Sequence, residues 1–238
     1  MNSIHRLTLT IFGLLIFIIS AQSQPIMGFQ AGINISGFRG EQNFEETKPR
    51  LGLTGYVFTD IPLGRNSIVS IETGLRLSQQ GNTTINVIDS ISWTNTKTTH
   101  NKLNYIIFPL YLKENYSNFY TKIGPYAAYL LNAESRWANI ETKGPTQIKP
   151  DYSGNDKKFE ENVSKFDYGL SFGFGFIHFF DPNIYRNKRH RNKRTPVLQV
   201  DFKYNLGLKS IDDSGKIDYM ALKNHVFTVG LSITSVYN

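Results

Sequence analysis

The chain has 238 residues, 40 % hydrophobic, with a formal net charge of +7, enough for one domain once an export signal is set aside. No stretch approaches the ~20 apolar residues of a spanning helix, which excludes a helical membrane protein but not a β-barrel, whose strands show lipid only every second residue. The absence of cysteine excludes disulfides, thiolate metal sites, a cysteine nucleophile and a lipid anchor on an N-terminal cysteine.

Residues 1–23 read as a secretory signal peptide. Arg6 precedes an almost wholly apolar run from Leu7 to Ile19. Ser20, Ala21 and Ser23 then supply small residues, with cleavage expected after Ala21 or Ser23. The expected domain is therefore 24–238.

Beyond that point two-residue periodicity alternates with polar connections rich in Gly, Asn and Lys, with no helical period. Eight strands are predicted near 26–36, 50–60, 67–80, 102–114, 118–131, 165–180, 196–207 and 224–236. Most are longer than the ~5–6 residues of a typical strand and suit the ~9–11 of a tilted membrane-spanning one. In the third, Val69, Ile71, Thr73, Leu75 and Leu77 oppose Ser70, Glu72, Gly74, Arg76 and Ser78. The fourth is apolar on both faces from Tyr105 to Leu112. The sixth sets Phe166, Tyr168, Leu170, Phe172, Phe174 and Phe176 against Asp167, Gly169, Ser171, Gly173 and Gly175. The seventh sets Leu198, Val200, Phe202, Tyr204 and Leu206 against Gln199, Asp201, Lys203 and Asn205. The eighth sets Phe227, Val229, Leu231 and Ile233 against Thr228, Gly230, Ser232 and Thr234.

Residue chemistry, not parity, decides which face points inward. Glycines in an apolar core would leave holes, whereas the crowded inside of a narrow barrel suits them. Glu72, Arg76, Lys122, Asp167, Asp201 and Lys203 are expected to pair in that interior, since unpaired buried charge is costly. The apolar face then meets lipid, and the sheet must close, because an open edge in hydrocarbon leaves backbone groups unsatisfied. With the N-terminus in the periplasm, the outward connections are 37–49, 81–101, 132–164 and 208–223, all long. Two of the three inward ones, around 61–66 and 115–117, are short, which is the asymmetry of such barrels. The fold expected is all-β, an eight-stranded antiparallel up-and-down transmembrane barrel.

Several pieces occur in family order: Phe29-Gln30-Ala31-Gly32-Ile33-Asn34, Ile61-Pro62-Leu63, Glu72-Thr73-Gly74-Leu75 with Ser78-Gln79-Gln80-Gly81, and Leu103-Asn104-Tyr105 through Pro109-Leu110. Gly124-Pro125-Tyr126 with Tyr129-Leu130-Leu131, Asp167-Tyr168-Gly169-Leu170 and Tyr204-Asn205-Leu206-Gly207-Leu208 continue the series. Across the mature chain they resemble the porin-family outer-membrane β-barrel domain proteins of the Bacteroidetes, also called PorT-like. The resemblance implies fold and location in the outer membrane of a Gram-negative bacterium rather than an activity. The chain departs from the pattern at Ile107, where relatives often carry an acidic residue.

The third inward connection holds Arg186, Lys188, Arg189, Arg191, Lys193 and Arg194, with His190 among them. These basic residues suit an anionic periplasmic partner or a solvated turn. Nucleic acid is not expected, because no aromatics interleave with the charges. The glycines 169–175 lack Gly-x-Gly-x-x-Gly spacing and precede no helix, so they are read as packing residues. His5, His100, His178, His190 and His225 show no ligand spacing, and no cofactor, metal or enzymatic activity is expected. Phe227, Val229, Leu231, Ile233 and the penultimate Tyr237 resemble the C-terminal signal read by the barrel-insertion machinery; Tyr237 equally suits an interfacial girdle. In the 132–164 loop, Trp137, Tyr152 and Phe159 are candidate contact anchors.

Eight strands enclose an interior that side chains can fill. The leading expectation is a structural or interaction protein of the outer membrane that displays its outer loops. A narrow passive pore and a soluble lipocalin-like lipid-binding barrel are the alternatives. The protein is expected in the outer-membrane fraction, with a band on SDS gels that shifts on boiling; a soluble protein without a shift would reverse the assignment of the two faces.

Overall fold

The structure is a computed structural model that describes residues 25–40, 46–64, 67–90, 93–143, 146–147, 151–153, 163–180, 194–211 and 222–237. The expected signal peptide lies outside the described residues. The long strands are β1 (Ile26–Arg39), β2 (Glu46–Pro62), β3 (Val69–Ser90), β4 (Trp93–Tyr116), β5 (Phe119–Lys143), β8 (Phe166–Phe179), β9 (Arg194–Gly207) and β10 (Lys223–Tyr237). Two short strands, β6 (Thr146–Gln147) and β7 (Asp151–Ser153), attach to the outer part of β5.

The eight long strands form a closed antiparallel ring. Each sequential neighbour pairs, β5 pairs β8, and β10 returns to β1 with Ala31 opposite Leu231. Every long strand thus has a partner on both sides, which hydrocarbon demands of a backbone with no water at hand.

Alternation fixes the two faces. Along β8 the outward residues are Phe166, Tyr168, Leu170, Phe172, Phe174 and Phe176, while Asp167 and Ser171 are buried inside. β9 buries Gln199, Asp201, Lys203 and Asn205, and β3 buries Ser70, Glu72, Arg76 and Ser78. The arrangement is the reverse of a lipocalin-like barrel, whose apolar face would be inside. β4 now resolves as well: Tyr105, Ile107, Tyr111 and Lys113 point inward, and Phe108, Leu110 and Leu112 outward.

Aromatic pairs mark the ends of the apolar belt. Tyr116 and Phe119 (6.4 Å between ring centroids) sit at one end, and Tyr129 against Phe166 (5.1 Å) at the other. The ten steps from Phe119 to Tyr129 span roughly 33 Å of strand. At a tilt of ~40° that is ~25 Å of height, the thickness of a lipid-facing band.

The structure corrects the predicted outer loops. Residues 81–90 and 93–101 are not a loop: β3 and β4 run on as a ladder to the pair Ser90–Trp93. Likewise 132–143 belongs to β5, paired with β4 up to Thr142–Thr94. Beyond Thr84 and Asn101, the last buried inward residues of this hairpin, both faces are at least partly exposed, so Thr and Asn occupy both parities and the amphipathic signal is lost. The ladder nevertheless persists, because β-branched Thr suits a pleated strand. Gly81, with φ +140°, sits in this region, where a Cβ would lie 2.0 Å from the Asn101 carbonyl oxygen. At the other end Ser117, with φ 44°, takes the left-handed conformation that the two-residue turn between β4 and β5 requires.

The inward glycines make room for longer neighbours. A Cβ on Gly173 would meet Lys203 Cγ at 2.9 Å and Lys122 Cγ at 3.2 Å; one on Gly175 would meet the Tyr120 hydroxyl at 2.4 Å. By contrast, nothing lies within 4 Å of a Cβ built on Gly55. Gly175→Val is expected to destabilise the barrel by about 1–3 kcal/mol through overpacking, lowering the temperature at which the folded gel band is lost. Gly55→Ala should leave that temperature unchanged within error.

Candidate functional site

The inside of the ring holds a chain of alternating charges built by inward parity on five strands, with a glutamine from a sixth. Lys113 (β4) gives a hydrogen bond of 2.8 Å to Asp60 Oδ2 (β2) and lies 3.4 Å from Glu72 Oε2 (β3). Lys122 (β5) bridges Glu72 Oε1 at 2.9 Å and Asp201 Oδ2 (β9) at 2.7 Å. Lys203 lies 3.3 Å from Asp201 and donates to Gln30 Oε1 on β1, while the Gln30 amide donates to Asp201 Oδ2 at 3.1 Å. Because β3 and β9 stand on opposite sides of the ring, the Glu72–Lys122–Asp201 link crosses the interior.

Arg76 is 1 % exposed and makes no ion pair with a carboxylate among the described residues. Its guanidinium lies 4.5 Å from the centre of the Tyr56 ring and donates to Tyr111 Oη at 3.1 Å. Tyr111 continues to Ser171 Oγ (3.0 Å), and Ser171 donates to Asn205 Oδ1 (2.6 Å). Tyr120 supports the lysines as a ring surface, 4.4 Å from Lys113 Nζ and 5.4 Å from Lys122 Nζ. Desolvated cation–π contacts of this kind contribute about 2 kcal/mol. Four cations (Arg76, Lys113, Lys122, Lys203) thus face three carboxylates (Asp60, Glu72, Asp201), and tyrosine faces take up the surplus.

Of the six residues expected inside, Glu72, Lys122, Asp201 and Lys203 meet directly and Arg76 joins through tyrosines. Asp167 does not join them. It is buried near the Tyr129–Phe166 end of the belt, where it accepts a 2.9 Å hydrogen bond from Asn224 Nδ2. At its level lies an apolar cluster of Leu103, Tyr105, Ile107, Tyr126, Ala128, Leu130, Ala133 and Val163, with Ala128 opposite Asp167 in the register. This corrects the expectation that Asp167 pairs with the other interior charges, and it gives Ile107 a place: a carboxylate there would sit among these side chains. Sequence reading missed Lys113 and Asp60. Extending the inward parity of Tyr111 by two residues, and of Tyr56 and Phe58 by two, would have found both.

The remaining expected residues fall elsewhere. Phe227, Leu231 and Ile233 are exposed on the outer face of β10, with Val229 half-buried on the same face, and Tyr237 pairs with Arg194 in the ladder. Arg186, Lys188, Arg189, Arg191 and Lys193 lie outside the described residues. Trp137 is not in a loop but on β5, with Lys97 Nζ 5.7 Å from its ring centre. Tyr152 lies on β7, and Phe159 is outside the described residues.

A family model described as "Outer membrane protein beta-barrel domain" matches residues 21–213. Among solved structures the chain is similar to the Neisserial surface protein A (NspA) crystal structure, with a TM-score of 0.38 and 10 % identity across 87 % of this chain and 96 % of that one. No curated protein matches the sequence.

Asp201→Asn leaves Lys122 and Lys203 short of a partner and is expected to cost about 3–5 kcal/mol. Lys203→Met removes part of the cation surplus and should cost less. Denaturant titration of the two variants in the same detergent, followed by the gel shift, checks that order.

Proposed function

Since the chain belongs to the outer membrane protein beta-barrel domain family and resides in the outer membrane, we propose that it serves there as a structural and interaction protein with a closed interior. The observation that carries this reading is the ion-paired chain across the ring, from Asp60 through Lys113, Glu72, Lys122 and Asp201 to Lys203. An ion entering would have to break buried pairs, each costly to separate. The apolar cluster around Ile107 adds a second layer above them.

In this reading residues 1–23 direct export and are removed, and the exposed Phe, Leu and Ile of the belt contact outer-membrane lipid. The ends of β3, β4 and β5 then stand outside the cell with the segment 144–162. The alternating face of β10 that ends at Tyr237 guides the barrel-insertion machinery. The basic residues Arg186 to Arg194 face the periplasm and attract an anionic partner there.

Purified protein in a planar bilayer is expected to give no conductance above baseline; steady single-channel steps would favour the narrow pore instead. Orientation has its own test, free of background because the chain has no cysteine. A single cysteine replacing Lys97 should react with an impermeant maleimide on intact cells, and one replacing Asn118 should not.

A further inference from the structure

We propose that a basic cleft in the outer wall of the barrel binds the phosphate of an anionic lipid headgroup in the outer leaflet. The cleft has a volume of about 380 Å³ and is lined by Arg50, Thr83, His100, Lys102, Glu134 and Arg136. Cross-strand register assembles it: Thr83 faces His100, His100 faces Arg136, and Lys102 faces Glu134 on the outward side of β3, β4 and β5. Arg50 arrives from β2, reaching across β3 to donate from Nη1 to the Asn101 carbonyl at 3.0 Å. His100 Nδ1 is held 3.0 Å from Thr83 Oγ1.

Three permanent cations converge there on one carboxylate. Glu134 is 3.8 Å from Arg136 Nη2 and exchanges no shorter contact with it. Among the described residues Arg136 makes no closer contact with a carboxylate, and Arg50 gives one side-chain hydrogen bond, to Asn101. A planar guanidinium fork fits two phosphate oxygens at once, and Lys102 adds a point charge. The chemistry selected is a phosphate group rather than a metal cation or a neutral sugar.

Position argues for a lipid as its source. On the same outward face, Leu77, Tyr129 and Leu131 are exposed in the last part of the apolar belt. Glu134 and Arg136 follow Leu131 by three and five residues, roughly 8–13 Å higher for a strand tilted by ~40°. That height is at and above the outer edge of the headgroup layer, which adds about 5–8 Å to each side of a ~30 Å hydrocarbon core, and on β2 the 70 % exposed Leu51 brings the apolar surface up to Arg50. A lipid whose chains lie along Leu77 and Leu131 would place its phosphate at the cleft. Basic pockets at this depth are how membrane proteins hold anionic headgroups.

The inference rests on the orientation proposed above, which the cysteine labelling tests separately. The experiment is native mass spectrometry of the full mature protein in neutral detergent, titrated with diphosphoryl lipid A, its dephosphorylated form, or inorganic phosphate. Diphosphoryl lipid A is expected to remain bound, and Arg50→Gln with Arg136→Gln to weaken it by roughly tenfold to a hundredfold. Lys223→Gln, which removes a charge on β10 at the far side of the ring from β4, should leave binding unchanged. All variants are first checked for the heat-modifiable band. Equal retention of the dephosphorylated lipid, unaltered binding by the double variant, or displacement of the lipid by millimolar inorganic phosphate would each overturn the proposal, the last by showing a site for soluble anions.

Discussion

A strand in hydrocarbon has no water to bond its N–H and C=O groups, and everything else in this molecule follows from that constraint. The sheet must close, and the closing pair is β10 against β1, joining the two ends of the described chain. Once it closes on eight strands, the inside is too narrow to leave empty and too polar to ignore. Each strand is then asked for two opposite chemistries at alternate positions, as β8 shows with phenylalanine outside and Asp167, Ser171 and Gly173 within.

The interior meets this demand by reciprocity of size. Lysine stems are long and thin, and the ring brings Lys122 and Lys203 across its middle where Gly173 has no side chain to oppose them. Tyrosine rings fill the width that remains and supply electron-rich faces to the cations that lack a carboxylate. The apolar cluster around Leu103 and Ile107 occupies the next layer, so charge is concentrated toward one end of the ring instead of being spread along it.

The elements that could be read from the sequence were those with hydrocarbon on one side only. Phe166 to Phe176 and Leu198 to Leu206 declare their strands because a misplaced polar residue there would meet lipid. Where that penalty disappears the pattern disappears too: Thr96, Thr98 and Thr99 are all half-buried and carry no face preference, and the ladder of β3 and β4 beyond the belt reads as a loop in the sequence. β4 was opaque for the opposite reason, since Ile107 is apolar inside and Ile106 apolar outside, hiding Lys113 at the end of the same inward row. The interior charges could be picked out individually by parity. Their partners could not, because pairing across the ring depends on strand stagger, and that separates Asp167 from Asp201 although both lie on inward rows.

The ladder of β3 and β4 continues beyond the belt, paired residue by residue from Arg76 opposite Ile107 up to Ser90 opposite Trp93. Its side chains beyond the bilayer are therefore held in place by the barrel wall rather than searching the space open to a free loop. A partner that docks against them would find the surface ordered beforehand and lose little entropy in capturing it. The molecule in this sense carries a rigid blade whose handle is set in the membrane.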